Sequence, residues 1–293
     1  MPQTESLVAV QPEIEPNSDY SITMVGHSTF LVKMAGVNIL TDPVSTSQLF
    51  PYAPFGYGKR ISPAGLNLYE TPVKVVVLSH SDPDHFEPRI LKAIAQKGKT
   101  IAVCHQPLAG RLEKLGFTVV ESLAENQSTQ IGEITITAVH AEHRGQNKAV
   151  GFIFQHQGKS VYFAGDTGDF QDIEAIAKTY KPDIAILPIG EYPPLPLAVA
   201  KYFISKGFNI PQVLIDKLKK LEEIKRKKVH MSPEDVLLLS KHFHQIVVMH
   251  HGTYFLGGHI DPNEPADLMR RLIEENQLGD KITILAPGQS LSF

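Results

Sequence analysis

The densest chemistry in the chain is His80-Ser81-Asp82-Pro83-Asp84-His85, four side chains with lone pairs for a cation packed into six residues. Alternate residues of an extended segment point the same way, so His80, Asp82 and Asp84 could project together before a turn brings His85 round. Imidazole and carboxylate without thiolate suit zinc, manganese or iron. The competing reading is a polar strand-to-helix loop in which Asp82 or Asp84 caps the next helix. The same grammar recurs at His140 after ITITAV, at Asp166 in Phe163-Ala164-Gly165-Asp166-Thr167-Gly168, and at His250 after Gln245 to Met249. Singly, such a histidine is an ordinary hydrogen-bonding group and such a Gly-Asp a turn. Together, donors at the ends of four strands point to a metal centre, and a shared carboxylate is the usual way to hold two cations close together.

Strands must deliver these groups. Tyr20 to Val25, Thr29 to Met34 and Val37 to Leu40 are short β-branched runs separated by glycine-containing turns, the pattern of an antiparallel meander. From Val73 the run VKVVVLS suits a buried strand, followed by a helix near Arg89 to Gln96, a strand Thr100 to Val103 and a helix Pro107 to Leu115. The same order then returns. Gln130 to Val139, Ala149 to Gln155 and Ser160 to Phe163 read as β, with a helix Phe170 to Thr179 and a buried strand Ile184 to Leu187 after them. Two sheets facing each other with helices outside accommodate this architectural duplication.

Bulk composition bounds the function. With 293 residues, 42% of them hydrophobic, the chain can bury a substantial core. A formal charge of −3 argues against a surface built throughout to hold nucleic acid. Its one cysteine, Cys104, rules out an internal disulfide or a thiolate cage. No run of about 18 apolar residues is present. The first residues are acidic and proline-containing rather than a secretory signal, so residues 1–19 are expected to form a loose leader and the cytoplasm is the default location.

The ordered set HxxxDH, distal His, Gly-Asp and final His resembles the metallo-β-lactamase superfamily. More narrowly, Val25-Gly26-His27-Ser28-Thr29-Phe30-Leu31, Thr41-Asp42-Pro43, Phe163 to Gly168, His230-Met231-Ser232-Pro233-Glu234 and His250-His251-Gly252-Thr253 look like the branch with N-acyl-phosphatidylethanolamine-hydrolysing phospholipase D and ascorbate-6-phosphate lactonases. The resemblance implies an α/β, four-layer αβ/βα sandwich over residues 20–293, interrupted by an insert at about 191–229. It also implies two divalent cations (Zn, Mn or Fe). His80, Asp82 and His140 would hold the first, Asp84, His85 and His250 the second, and Asp166 would bridge them. Position 82 departs from the HxHxDH pattern: an aspartate there is a harder, charged donor that favours Mn or Fe.

Two such cations would generate a hydroxide at neutral pH to attack a phosphodiester or a lactone. Asp84 would orient that hydroxide. His230 would steady the developing anion or protonate the leaving group. The competing reading of His230 is an exposed residue before a helix capped by Ser232, with Pro233 and Glu234 in its first turn. His27 and Asp42 read as groups that orient the metal-bound histidines or fix a turn. His143, His251 and His259 lie near ligands and could contact substrate, whereas His105, His156, His242 and His244 read as surface or packing residues.

The insert bears on the substrate, a small molecule or a lipid. Leu214, Leu218, Leu221 and Ile224 recur at helical spacing, and residues 216–228 hold seven Lys or Arg against three Asp or Glu, leaving about −7 on the rest. This basic amphipathic helix, with the apolar piece Leu195 to Phe208 before it, could cap the site, pack against a twin subunit or lie on an anionic membrane. Two other classes of function stand beside the hydrolase. A nuclease would use the basic helix on phosphates, and a non-catalytic metal-binding module would follow if Asp82 spoils the first cation site.

Overall fold

The computed structural model describes residues 18–50, 58–143, 148–168, 173–190, 200, 203–204, 207–226, 230–255 and 263–293. The β-branched runs fold as strands: β1 (Tyr20–Gly26), β2 (Thr29–Met34) and β3 (Val37–Thr41) form the expected meander. The short β4 (Lys59–Arg60) is followed by β5 (Val75–Leu78), α1 (Pro88–Ala95), β6 (Ile101–His105), α2 (Ala109–Leu115) and β7 (Val120–Leu123). The second half runs β8 (Ser128–Ile131), β9 (Ile134–His140), β10 (Val150–His156), β11 (Lys159–Phe163), α3 (Ile173–Tyr180) and β12 (Ile184–Pro188). It continues through α4 (Gln212–Arg226), α5 (Pro233–Leu239), β13 (Gln245–Met249), β14 (Tyr254–Phe255), α6 (Glu264–Glu275), β15 (Ile282–Thr283) and β16 (Ser290–Ser292).

Two seven-stranded sheets result, ordered β16-β1-β2-β3-β5-β6-β7 and β15-β13-β12-β11-β10-β9-β8. In the first, pairing is antiparallel from β16 to β3 and parallel from β3 to β7. In the second it is antiparallel from β8 to β11 and parallel from β11 to β15. The duplication expected from the order of elements is therefore real at the level of topology, and the architecture is the αβ/βα sandwich.

Strand alternation divides the core. Val75 and Val77 of β5 face the interior between the sheets and belong to the same buried cluster as Phe152, Phe154 and Phe163. Val76 and Leu78 face outward, with Ala102 and Cys104 of β6, onto Ile90, Leu91 and Ile94 of α1 and Leu112 of α2. Cys104 is fully buried there, and burial pushes its thiol up to about 12. On the other sheet, Ser232 caps α5 as read from the sequence: its Oγ accepts from the Asp235 N–H and the Asp235 carboxylate accepts from the Ser232 N–H.

The leader up to residue 17, the first part of the insert, the start of the helix expected from Phe170, and His259 lie outside the described residues. Within α4, Val213 and Leu214 are 67% and 47% exposed, while Ile215 and Leu218 are half-buried. No described helix is long and apolar enough to cross a membrane.

Candidate metal centre

Strand ends from both sheets converge on one buried cluster, in the position where open α/β sheets place their sites. From the first sheet come His27 after β1, Asp42 after β3, and residues 79–85 after β5; from the second come His143 beyond β9, Asp166 after β11 and His250 after β13. His27, Asp42, His80, His85, Asp166, His230 and His250 are each buried.

The segment after β5 does not stay extended. The Asp82 carbonyl accepts from the N–H groups of His85 and Phe86, both at 2.9 Å, so a turn begins at Asp82 and parts the carboxylates that strand alternation would have aligned. Asp82 Oδ2 lies 3.6 Å from His80 Nε2, and His143 Nε2 lies 3.5 Å from the same oxygen. Asp84 Oδ2 instead lies 3.4 Å from His250 Nε2 and 3.9 Å from His85 Nε2. Asp166 stands between the two groups. Its Oδ1 is 3.0 Å from His85 Nε2 and 3.4 Å from His250 Nε2, while its Oδ2 is 3.7 Å from His80 Nε2 and 2.8 Å from His230 Nε2.

Two expectations change. His140 is not brought to the cluster: its side chain is 39% exposed and is drawn outward, with Nδ1 3.0 Å from Glu125 Oε1 and Nε2 3.8 Å from Glu142 Oε2. The following loop is pinned to the Asp166 turn, because the Glu142 N–H donates to Thr167 Oγ1 and its carbonyl accepts from the Gly168 N–H. That pinning brings His143, rather than His140, beside His80 and Asp82. The exposed reading of His230 also fails: the residue is 4% exposed and faces Asp166.

A relay sets the imidazoles. Asp42 accepts from the Ser79 N–H at 2.8 Å, from the Ser79 hydroxyl at 2.5 Å and from His85 Nδ1–H at 2.7 Å. Since the Ser79 proton is given to Asp42, His80 Nδ1–H donates to Ser79 Oγ at 2.9 Å. One carboxylate thereby turns the Nε2 edges of both His80 and His85 toward Asp166. His80 Nε2, His85 Nε2, both His143 ring nitrogens and Asp166 Oδ1 are buried and none makes an aligned hydrogen bond.

Glycines admit the close approach. A Cβ at Gly190 would collide with the carbonyl oxygen and Nδ1 of His250, whose own φ is 68°. Gly165, at φ 61°, lies against Ser79, where a Cβ would stand 2.9 Å from that residue's Cβ.

Electrostatics match a cation. Burial alone would raise the Asp166 and Asp84 carboxyls, yet the imidazoles around them hold both well below the usual carboxylate range. Burial would keep His85 neutral, but Asp166 and Asp84 drive it well above the usual histidine range. Burial carries His250 well below that range and His27 in the same direction. Ionised carboxylates are thus held deep in the protein among imidazoles, a setting in which a cation would find charge to balance. Cations would complete it: the donor atoms of His80, Asp82 and His143 cluster on one side and those of His27, Asp84, His85 and His250 on the other, while Asp166 clusters with His230 and His250.

Residues 21–207 match the family model described as the beta-lactamase superfamily domain. An uncharacterised protein of Mycobacterium tuberculosis is 30% identical over 187 residues, which are 60% of this chain and 50% of that protein. The chain thus spans about half the length of the first curated relatives it matches. A UPF0173 metal-dependent hydrolase of Caldivirga maquilingensis is 32% identical over 188 residues, 62% of this chain and 74% of the relative. Among solved structures, a metallo hydrolase from the archaeon Ignicoccus hospitalis superposes with a TM-score of 0.63 at 24% identity, covering 94% of this chain and 98% of the other.

Proposed function

The chain belongs to the beta-lactamase superfamily, and on that premise we propose that it is a binuclear metal-dependent hydrolase of a phosphodiester or a lactone. The observation that carries this reading is Asp166, whose two oxygens divide between the His80 side and the His85–His250 side of the cluster. His80, Asp82 and His143 would hold the first cation and Asp84, His85 and His250 the second, with Asp166 available to both. Bound there, two divalent ions supply an acidified water and polarise the electrophile.

The chain's own groups do the rest. Asp84, 14% exposed and the more open carboxylate of the second group, accepts a hydrogen bond from the attacking water and directs it. His230, with its ring 4.4 Å from that of His250 and 6.3 Å from that of His143, sits beside both groups and donates Nε2–H to Asp166. With cations drawing on Asp166, that N–H would be released to the leaving oxygen as it gains charge. The carboxylate at position 82 gives each group two imidazoles and two carboxylates once Asp166 is counted twice, a donor set suited to manganese or iron as well as zinc.

Elemental mass spectrometry on protein purified without chelator, with turnover of bis(p-nitrophenyl) phosphate and of a lactone panel, tests the reading. Two metals per chain and hydrolysis are expected, with loss of both metals and a fall in activity of about 100-fold or more in Asp166→Ala. One metal or none, with no turnover after adding Mn, Fe and Zn, would replace the hydrolase by a metal-binding module.

A further inference from the structure

Among the buried histidines, His27 is tied to the second group at three points without belonging to the six ligands or the bridge. It follows the bulged end of β1 in the left-handed region, at φ 58°, a conformation for which histidine is one of the better-tolerated side chains. Its N–H donates to Thr253 Oγ1 at 2.7 Å, which locks the turn to the segment after β13. Its carbonyl accepts from the His250 N–H at 3.1 Å. Its Nε2 lies 3.1 Å from Asp84 Oδ2, and its ring lies 3.9 Å from the His250 ring. An ionised carboxylate can only accept, so Nε2–H is the donor and that nitrogen has no lone pair left for a cation.

We propose that His27 is a positioning residue that holds Asp84 and His250 as one unit and so sets the affinity of the second cation, a role that rests on the hydrolase reading above. Asp84 comes from the loop after β5 and His250 from the far sheet, and His27 touches both with one side chain and one carbonyl. The carbonyl contact survives any substitution. The Asp84 contact requires an N–H at the end of a side chain, which makes the proposal specific to the imidazole and testable by exchange.

Metal-free protein would be titrated with Co²⁺, following the visible absorption and the stoichiometry, for wild type, His27→Ala and His27→Gln, with a thermal melt of each metal-free variant. His27→Ala is expected to weaken the second binding step about 10- to 100-fold, the scale for losing a partner of a metal ligand, and to leave the first within about twofold. His27→Gln, which keeps an N–H, should recover most of that loss with an unchanged spectrum. If Gln is as weak as Ala and the spectrum shifts, His27 is itself a ligand and the positioning role is overturned. If both steps weaken together in step with a lower melting temperature, or if neither moves, it is overturned as well. A wild-type chain that takes up fewer than two ions overturns the hydrolase reading beneath it and the role with it.

Discussion

The His80 half of the cluster and the His250 half use the same donor types but are held in place differently. Around His80, Asp82 is 29% exposed, its distances to His80 and His143 are 3.6 and 3.5 Å, and His143 arrives on a loop past the end of β9. Around His250, the side chains of His85 and His250 are fully buried and Asp84 is 14% exposed. Left-handed backbone at His27 and His250 and the close fit of Gly190 fix their directions. If each half takes an ion, the first, with the more exposed carboxylate, would have more room to adjust to it, and the second would be the more preformed. The second half should therefore bind more tightly and exchange more slowly, and substitutions should separate the two.

Gly190→Ala should break the comparison most severely. The added methyl meets a backbone carbonyl and cannot be absorbed by a rotamer change, so about 1–3 kcal/mol of stability should be lost. The second ion should be lost with it, read by chemical denaturation and metal stoichiometry, while the first persists. His143→Ala should act on the other half, weakening the first ion about 10- to 100-fold by cobalt titration. His140→Ala should stay within about threefold in the same assay, and equal losses would return His140 to the ligand set. Ser79→Ala should weaken the first ion by about tenfold, since it removes the acceptor of His80 Nδ1–H but leaves the Asp42–His85 contact. An equal effect on the second ion would show that the relay reaches both halves through Ser79.

A smaller effect concerns pH. Burial depresses His251 from 6.5 to about 4, so the folded chain keeps it neutral where the unfolded chain takes a proton. Its contribution to stability is fully present above about pH 6.5 and is lost as pH falls toward 4. The melting temperature of metal-free protein should drop through that window, and drop less in His251→Gln. An unchanged slope would mean that other buried histidines carry the dependence.

Most of the frame was legible because strand alternation and β-branched runs are local signals. β2 and β13 occur where the residues place them, and the cap at Ser232 is a four-residue pattern. His80, His85, Asp166 and His250 were legible as members of one cluster because each closes or follows an obvious strand. His143 as a cluster member was not. Its placement depends on Glu142 being pinned to the Asp166 turn, a contact between residues 25 apart that no spacing rule contains. The splitting of Asp82 from Asp84 is a turn that alternation cannot anticipate, and the grip of His27 needs both sheets in place. β15 and β16, at two and three residues, exist only because longer strands offer them an edge.

The single cysteine gives the sheet a chemical clock. Cys104 lies sealed between β6 and the helices, with its thiol held protonated far above neutral pH, so it cannot attack a disulfide reagent while that face stays closed. Its labelling rate then counts openings of the sheet rather than encounters with reagent. Because the chain has no other thiol, no engineering is needed to assign the signal. β6 pairs with β5, whose far end leads into His80, so the same clock run with and without Mn²⁺ would report how far the cluster's grip extends along the strands.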